Sequence, residues 1–314
     1  MASLRTKREN ELGFGSKTST QRTRLVNKDG SFNIDRIEIS RWSSTSPYHA
    51  LTRMPWYKFT AIVFLYFIVI NLIFASLYYA VGVEGLNGVE ATTELDKFLE
   101  AFFFSTQTFS TVGFGRLSPA THATSSIAAA ESLVGLLGFA LATGLLYGRF
   151  ARPVARMIFS SNAIIAPFKS GNAFQFRLAN KMRNSQITDM SCRVTVAKFE
   201  VENGTKLRRF RPLDLEVPTI VFFPMTWTIN HPIDENSPLY GMTEADMKEA
   251  DVEFLVSLNG FDDTFSQNVS ARHSYTYEEL VYGAKWISVF SQNERGQTSQ
   301  DLRKISDYEK VKLN

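Results

Sequence analysis

Apolar positions along the chain are clustered rather than spread. From Phe59 to Val81 there are 23 consecutive residues without a charge. At a rise of about 1.5 Å per residue, a helix of that length reaches across the ~30 Å hydrocarbon core of a bilayer. A second run, Thr121 to Gly148, carries Glu131 as its one formal charge and is rich in Gly, Ala and Leu. Core helices of soluble proteins rarely continue so far without charges, so the pattern predicts two membrane helices. Neither is an N-terminal signal peptide, since the first begins more than fifty residues into the chain. Between them, Leu95 to Ser110 (LDKFLEAFFFSTQTFS) reads as an apolar helix too short to cross. Asp96 and Glu100 lie in its first turns, where negative charge suits the helix dipole. The spacing predicts a re-entrant element.

Charge orders these elements. Residues 1–58 carry 11 Lys/Arg against 5 Asp/Glu, residues 82–120 carry 2 against 5, and Arg149, Arg152 and Arg156 follow the second span. Basic flanks remain on the cytoplasmic side, which predicts both termini inside and 82–120 outside. The remainder, 157–314, has mixed charge, with 18 Lys/Arg and 20 Asp/Glu, and is long enough for a folded cytoplasmic domain. Whole-chain figures conceal this: 314 residues, 44% hydrophobic, net charge +3 and a mean hydropathy of −0.11 resemble a soluble protein. The single cysteine, Cys192, excludes an intrachain disulfide and a Cys-rich metal cluster.

Directly after the short helix stands Thr111-Val112-Gly113-Phe114-Gly115. A potassium filter needs stacked rings of oxygen that replace the ion's hydration shell, and TVGYG-type loops supply them from backbone carbonyls. Glycines at alternate positions permit the dihedral angles this demands. Phe114 in place of tyrosine keeps the carbonyl and removes a hydroxyl. One chain supplies one wall, so a homotetramer is expected, with K+ held at Thr111, Val112, Gly113 and Phe114.

Along the second span, Phe139, Thr143 and Tyr147 recur every fourth residue and share a helix face, so a ring of Tyr147 side chains is a gate expected to close by dewetting. Gly135 and Gly144 fit gating hinges or close helix packing equally well. Glu131 is a functional or a structural buried acid. Downstream, Ser191–Phe199 and Val252–Leu258 read as strands, with Asn203-Gly204 and Asn259-Gly260 as turn signals. Lys206–Arg211 (KLRRFR) reads as a solvated strand face rather than a nucleic-acid patch. His49, His122, His231 and His273 are scattered, and no P-loop, GxSxG or HExxH is present, so neither an enzyme nor a cofactor is expected.

From about Ser46 to about Ile287 the chain resembles the inward-rectifier potassium channels, most closely their bacterial branch. The residues that carry the resemblance are SPYHALTRMPW, STVGFG, GLLYGRFARP, FSSNAIIAPF, FRLANKMRNSQI, HPIDENSPLYGM and ARHSYTYEELVYGAKW, in that order. The resemblance implies a slide helix at the inner membrane surface and an immunoglobulin-like β-sandwich that prolongs the pore. It thereby divides the chain into a cytoplasmic tail (1–45), slide helix (46–58), pore domain (59–150), linker (151–165), β-sandwich (166–292) and a partly ordered tail (293–314). Within the pore domain the outer helix is 59–81, the pore helix 95–110, the filter 111–115 and the inner helix 120–150.

The resemblance also implies an aromatic gate at Tyr147, hinges at Gly135 and Gly144, and an acidic cytoplasmic pore position at Asp263. Arg149 and Arg152 fall where relatives bind phosphoinositide headgroups, and Arg53 and Lys58 suit anionic lipid on charge alone. Two departures bear on mechanism: Phe139 stands where strong rectifiers carry an aspartate, and Gln107 where many relatives have a glutamate behind the filter. The expectation is a potassium channel of the inner membrane, gated by its inner helices and cytoplasmic domain. A weakly selective cation channel and a membrane-anchored ligand sensor with a vestigial pore are the alternatives.

Overall fold

The computed structural model describes residues 23–34, 46–151, 156–182, 186–202, 205–292, 296 and 298–314. Arg152, the Asn203-Gly204 turn and most of the N-terminal tail lie outside the described residues. The chain forms two units, one from residues 37–152 and one joining the N-terminal stretch to residues 153–314.

In the first unit, α1 (Pro47–Arg53) begins with proline in its first turn and ends just before Pro55. The long helix α2 (Trp56–Val81) stops at Gly82, whose φ of +107° breaks the helical path. A two-residue strand, β1 (Leu86–Asn87), leads to α3 (Glu94–Phe109). Here Thr93 and Asp96 cap each other, each accepting the other's backbone N–H at 3.1 Å. After the TVGFG loop, β2 (Ser118–Pro119) pairs with β1, and Thr121 and Thr124 form the corresponding cap on α4 (His122–Phe150). Only 11% of the most apolar window of α2 and 17% of that of α4 is buried. Helices of a soluble core would be covered, whereas these two are exposed and are long and apolar enough to cross a membrane.

The second unit is built from two five-stranded sheets. One contains β3 (Met157–Phe159), β4 (Ala163–Phe168), β5 (Gly171–Asn180), β9 (Trp227–Ile233) and β12 (Leu280–Tyr282). The other contains β6 (Ile187–Glu202), β7 (Thr205–Leu213), β8 (Thr219–Phe222), β10 (Glu253–Asp262) and β11 (Gln267–Thr276). Phe174, Phe176, Leu178 and Ile229 from the first sheet and Met190, Val196, Phe254 and Leu258 from the second form one apolar core. A short helix, α5 (Glu244–Glu249), contributes Met247 to it. Strands therefore begin at Met157, inside the stretch expected to be a linker, because Met157–Phe159 pairs with Leu178–Asn180.

One further expectation is corrected here. Asn259-Gly260 is not a turn: both residues lie in β10, where a register shift against β6 marks a bulge and a Cβ on Gly260 would sit 2.9 Å from Ile187. The turn comes later, at Asp263–Ser266. Within the tail expected to be only partly ordered, Thr298–Gln300 and Tyr308–Lys310 are strands. β14 (Phe290–Gln292) pairs with β15 (Thr298–Gln300), and β16 (Tyr308–Lys310) pairs with β13 (Ala284–Trp286), placing Tyr308 against the Ile164, Ala284 and Trp286 cluster.

The N-terminal stretch is fastened to the same unit. Leu25 and Val26 are buried against Ala197, Phe210 and Leu255. Their amides donate to the Glu253 carboxylate at 2.9–3.1 Å, and Arg208 pairs with the same carboxylate at 2.9 Å. Arg208 is 3% exposed, so KLRRFR is not a wholly solvated face.

His231 and His273 are both buried, and burial pushes each below the ordinary histidine value. His231 donates from Nδ1 to the Asp214 carbonyl at 2.6 Å and accepts from Ser237 at Nε2 (2.7 Å); His273 donates from Nδ1 to the Lys28 carbonyl at 3.0 Å. As pH falls below the unfolded value of 6.5, the unfolded chain takes up protons that the folded unit refuses, so stability drops. Both histidines act in the same direction, so their losses add as pH falls. Thermal unfolding between pH 7.5 and 5 should show this loss, and His231→Asn with His273→Asn should flatten it.

Candidate functional site

The loop after α3 has an unusual backbone. Thr111, Gly113 and Gly115 have φ of +58°, +56° and +87°, while Val112 and Phe114 between them do not have positive φ. In an extended strand successive carbonyls alternate in direction; alternating handedness brings them to one side. Glycine takes such angles freely, but a β-branched threonine there is strained, the kind of outlier that clusters at functional sites.

Gln107, in the last turn of α3, supports that shape. Its backbone carbonyl accepts from the amides of Val112 (2.9 Å) and Gly113 (3.3 Å), and its side-chain Oε1 accepts from Phe114 N at 3.0 Å. Three successive N–H groups are thus drawn to one residue. Among the described residues, none donates to the carbonyls of Thr111 to Gly115. A strip of free carbonyls with its amides tied back has the chemistry that a cation's coordination requires. The residue type at position 107 was noticed in the sequence; its three-amide grip is visible only in three dimensions.

Two further supports hold the loop. Arg116 binds Glu100 at 2.5 Å and the Gly88 carbonyl at 2.9 Å, linking the loop's far end to α3 and to the turn after β1. Behind the loop, Glu131 accepts from Tyr78 at 2.7 Å and contacts Ser105, which lies 3.0 Å from Asn71. All four side chains are fully buried, joining α2, α3 and α4. Glu131 was legible as a lone acid in an apolar run; Asn71, Tyr78 and Ser105 gave no signal beyond being polar.

The expected site residues on α4 separate into two groups. Phe139, Thr143 and Tyr147 are exposed, Phe139 and Tyr147 at 74% each. Gly135 serves packing: a Cβ there would lie 2.2 Å from the Phe109 carbonyl oxygen. A Cβ on Gly144 would meet nothing within 4 Å. Gly135→Ala should therefore destabilise the helical unit by about 1–3 kcal/mol through overpacking, whereas Gly144→Ala should leave its thermal stability near wild type. Both values can be read from unfolding of the purified protein in detergent.

Among the basic positions, Arg53 at the end of α1 and Lys58 at the start of α2 are exposed. Arg149, expected at lipid headgroups, is engaged within the chain. Its guanidinium donates to the carbonyls of Leu51 (2.6 Å) and Met54 (2.7 Å) and stacks on Trp56 and Phe59 at 4.5 and 4.6 Å. It therefore caps α1 and ties it to α4. In the second unit, Asp263 opens the exposed β10–β11 turn and accepts from Thr188 at 3.2 Å.

Comparison with known proteins identifies the family of the chain. Residues 157–314 match the family described as inward rectifier potassium channel C-terminal domain, and residues 66–151 match the family described as ion channel. The chain is similar to the inward rectifier potassium channel Kirbac3.1 of Paramagnetospirillum magnetotacticum, at 35% identity over 93% of this chain and 98% of that protein. It is also similar to the ATP-sensitive inward rectifier potassium channel 12 of Homo sapiens, at 26% identity over 88% of this chain and 70% of that one.

Proposed function

The chain belongs to the inward rectifier potassium channel family, and from that premise we propose that four copies surround one axis and pass K+ down its gradient through a filter made by Thr111 to Gly115. The observation that carries this reading is the alternating handedness at Thr111, Gly113 and Gly115, with the intervening amides gathered by Gln107. A dehydrating K+ exchanges water oxygens for the carbonyls of Thr111 to Phe114 and the Thr111 hydroxyl, and the next ion displaces it by repulsion.

Four-fold assembly is supported by what a single chain leaves uncovered. Phe114 is 84% exposed, and a groove of about 360 Å³ lined by Phe67, Phe103, Val112 and Phe114 lies beside the loop. A neighbouring copy buries those surfaces and completes the oxygen rings. On this reading the exposed Phe139, Thr143 and Tyr147 line the inner cavity, Tyr147 closes it by dewetting, and Gly144 is the hinge with room to bend. Both termini are cytoplasmic in an inner-membrane protein. The second unit is an immunoglobulin-like sandwich whose Asp263 carboxylates concentrate cations. Arg53, Lys58 and Arg152 contact anionic lipid, each favourable by about 1 kcal/mol near such a surface. Potassium efflux from liposomes holding the purified protein tests the reading.

A further inference from the structure

Hydrogen-bond directions in the buried group behind the filter fix a property of Glu131. Asn71 approaches the Phe67 carbonyl at 2.7 Å, and a carbonyl only accepts, so the atom facing it is the amide nitrogen Nδ2. Asn71 Oδ1, an acceptor, is then the atom 3.0 Å from Ser105 Oγ. Ser105 has one hydroxyl hydrogen, and this contact requires it. The remaining contact, between Ser105 Oγ and Glu131 Oε1, has no hydrogen unless the carboxyl supplies one. Tyr78 occupies the other carboxyl oxygen as a donor, at 2.7 Å.

We infer that Glu131 works as a neutral carboxylic acid, donating to Ser105 and closing a one-way chain from the Tyr78 hydroxyl through Glu131, Ser105 and Asn71 to the Phe67 carbonyl. Every polar atom on the chain is then satisfied. With an ionised Glu131, the Ser105 hydrogen turns to the carboxylate and leaves two oxygens facing each other at 3.0 Å in a fully buried site. Among the described residues no cation pairs with Glu131: the ion pairs found in this unit, Lys97–Glu94 and Arg116–Glu100, engage other acids. Tyr78, which donates to Glu131, itself packs in an apolar cluster with Ala75, Ala101 and Phe104.

The chain bears on conduction through position. Ser105 is two residues before Gln107 on α3, so pinning Ser105 sets the depth at which Gln107 grips the amides of Val112, Gly113 and Phe114. Glu131 is thus a positioning residue for the filter, and this consequence rests on the proposed conduction path. Its protonation does not.

The test compares Glu131→Gln and Glu131→Leu in the full-length channel reconstituted in vesicles. Glutamine supplies the same donor toward Ser105 and the same acceptor toward Tyr78. Glu131→Gln should keep wild-type melting temperature and K+ flux within about twofold, while Glu131→Leu should lose about tenfold or more of the flux, as expected when buried polar groups lose their partner. Infrared difference spectra of wild type against Glu131→Gln at neutral pH should show a protonated-carboxyl carbonyl band that the variant lacks. Absence of that band, or a Glu131→Gln protein as impaired as Glu131→Leu, overturns the inference. The infrared result stands whether or not the protein conducts, so failure of this inference is separable from failure of the channel reading.

Discussion

Channels carrying Gly113→Ala should lose potassium flux to the level of empty liposomes while still eluting as the wild-type oligomer. Gly113 sits at φ +56°, and an L side chain held in that region costs about 1–2 kcal/mol, or about 4–8 kcal/mol over four subunits. A Cβ there would meet nothing within 4 Å in its own subunit, so the loss comes from the backbone relaxing toward negative φ and turning its carbonyl aside. The control is Phe114→Tyr. It alters a side chain at a position with ordinary backbone angles, leaves the amide held by Gln107, and should retain flux. Liposome efflux and size-exclusion elution of both variants check the prediction.

Removing the Glu253 carboxylate should have the largest effect on the second unit. Glu253 and Arg208 are almost fully buried, and the same carboxylate receives the amides of Leu25 and Val26. Glu253→Ala strands a buried guanidinium and two backbone donors, a change expected to cost about 3–5 kcal/mol. The N-terminal stretch should come loose, so trypsin should cleave at Arg24 and Lys28 much faster than in wild type. Replacing Glu253 and Arg208 together with methionine should cost less than either single change, because no unpaired charge is left in the core.

These two sites differ in how far the sequence disclosed them. The two long helices follow from long apolar runs carrying at most one charge, and the filter loop from glycines at alternate positions directly after a short apolar helix. Both are local patterns, and local patterns survive being read in one dimension. The Glu253–Arg208 pair joins residues 45 apart, and its amide partners lie 228 and 227 residues away, so nothing near Arg208 distinguished it from its exposed neighbours. The partners of Arg149 are hidden for a related reason. Its position after a membrane span suggests lipid, but the carbonyls that hold it are 98 and 95 residues earlier, at the end of α1. The C-terminal strands were missed because each is three residues long and polar, and they exist through pairing with Phe290–Gln292 and Ala284–Trp286. Gly260 reads as a turn in sequence because a strand glycine at a bulge and a turn glycine look alike until the neighbouring strand is known.

The central claim is that Thr111 to Gly115 forms a filter whose carbonyls replace the hydration shell of K+ in preference to that of Na+. Its most direct test is a bi-ionic measurement on the purified wild-type protein in planar bilayers, with K+ on one side and Na+ on the other. The account predicts a reversal potential close to that of a potassium electrode and current blocked by barium. A reversal potential near zero, with barium-insensitive current carried equally by both ions, would contradict it.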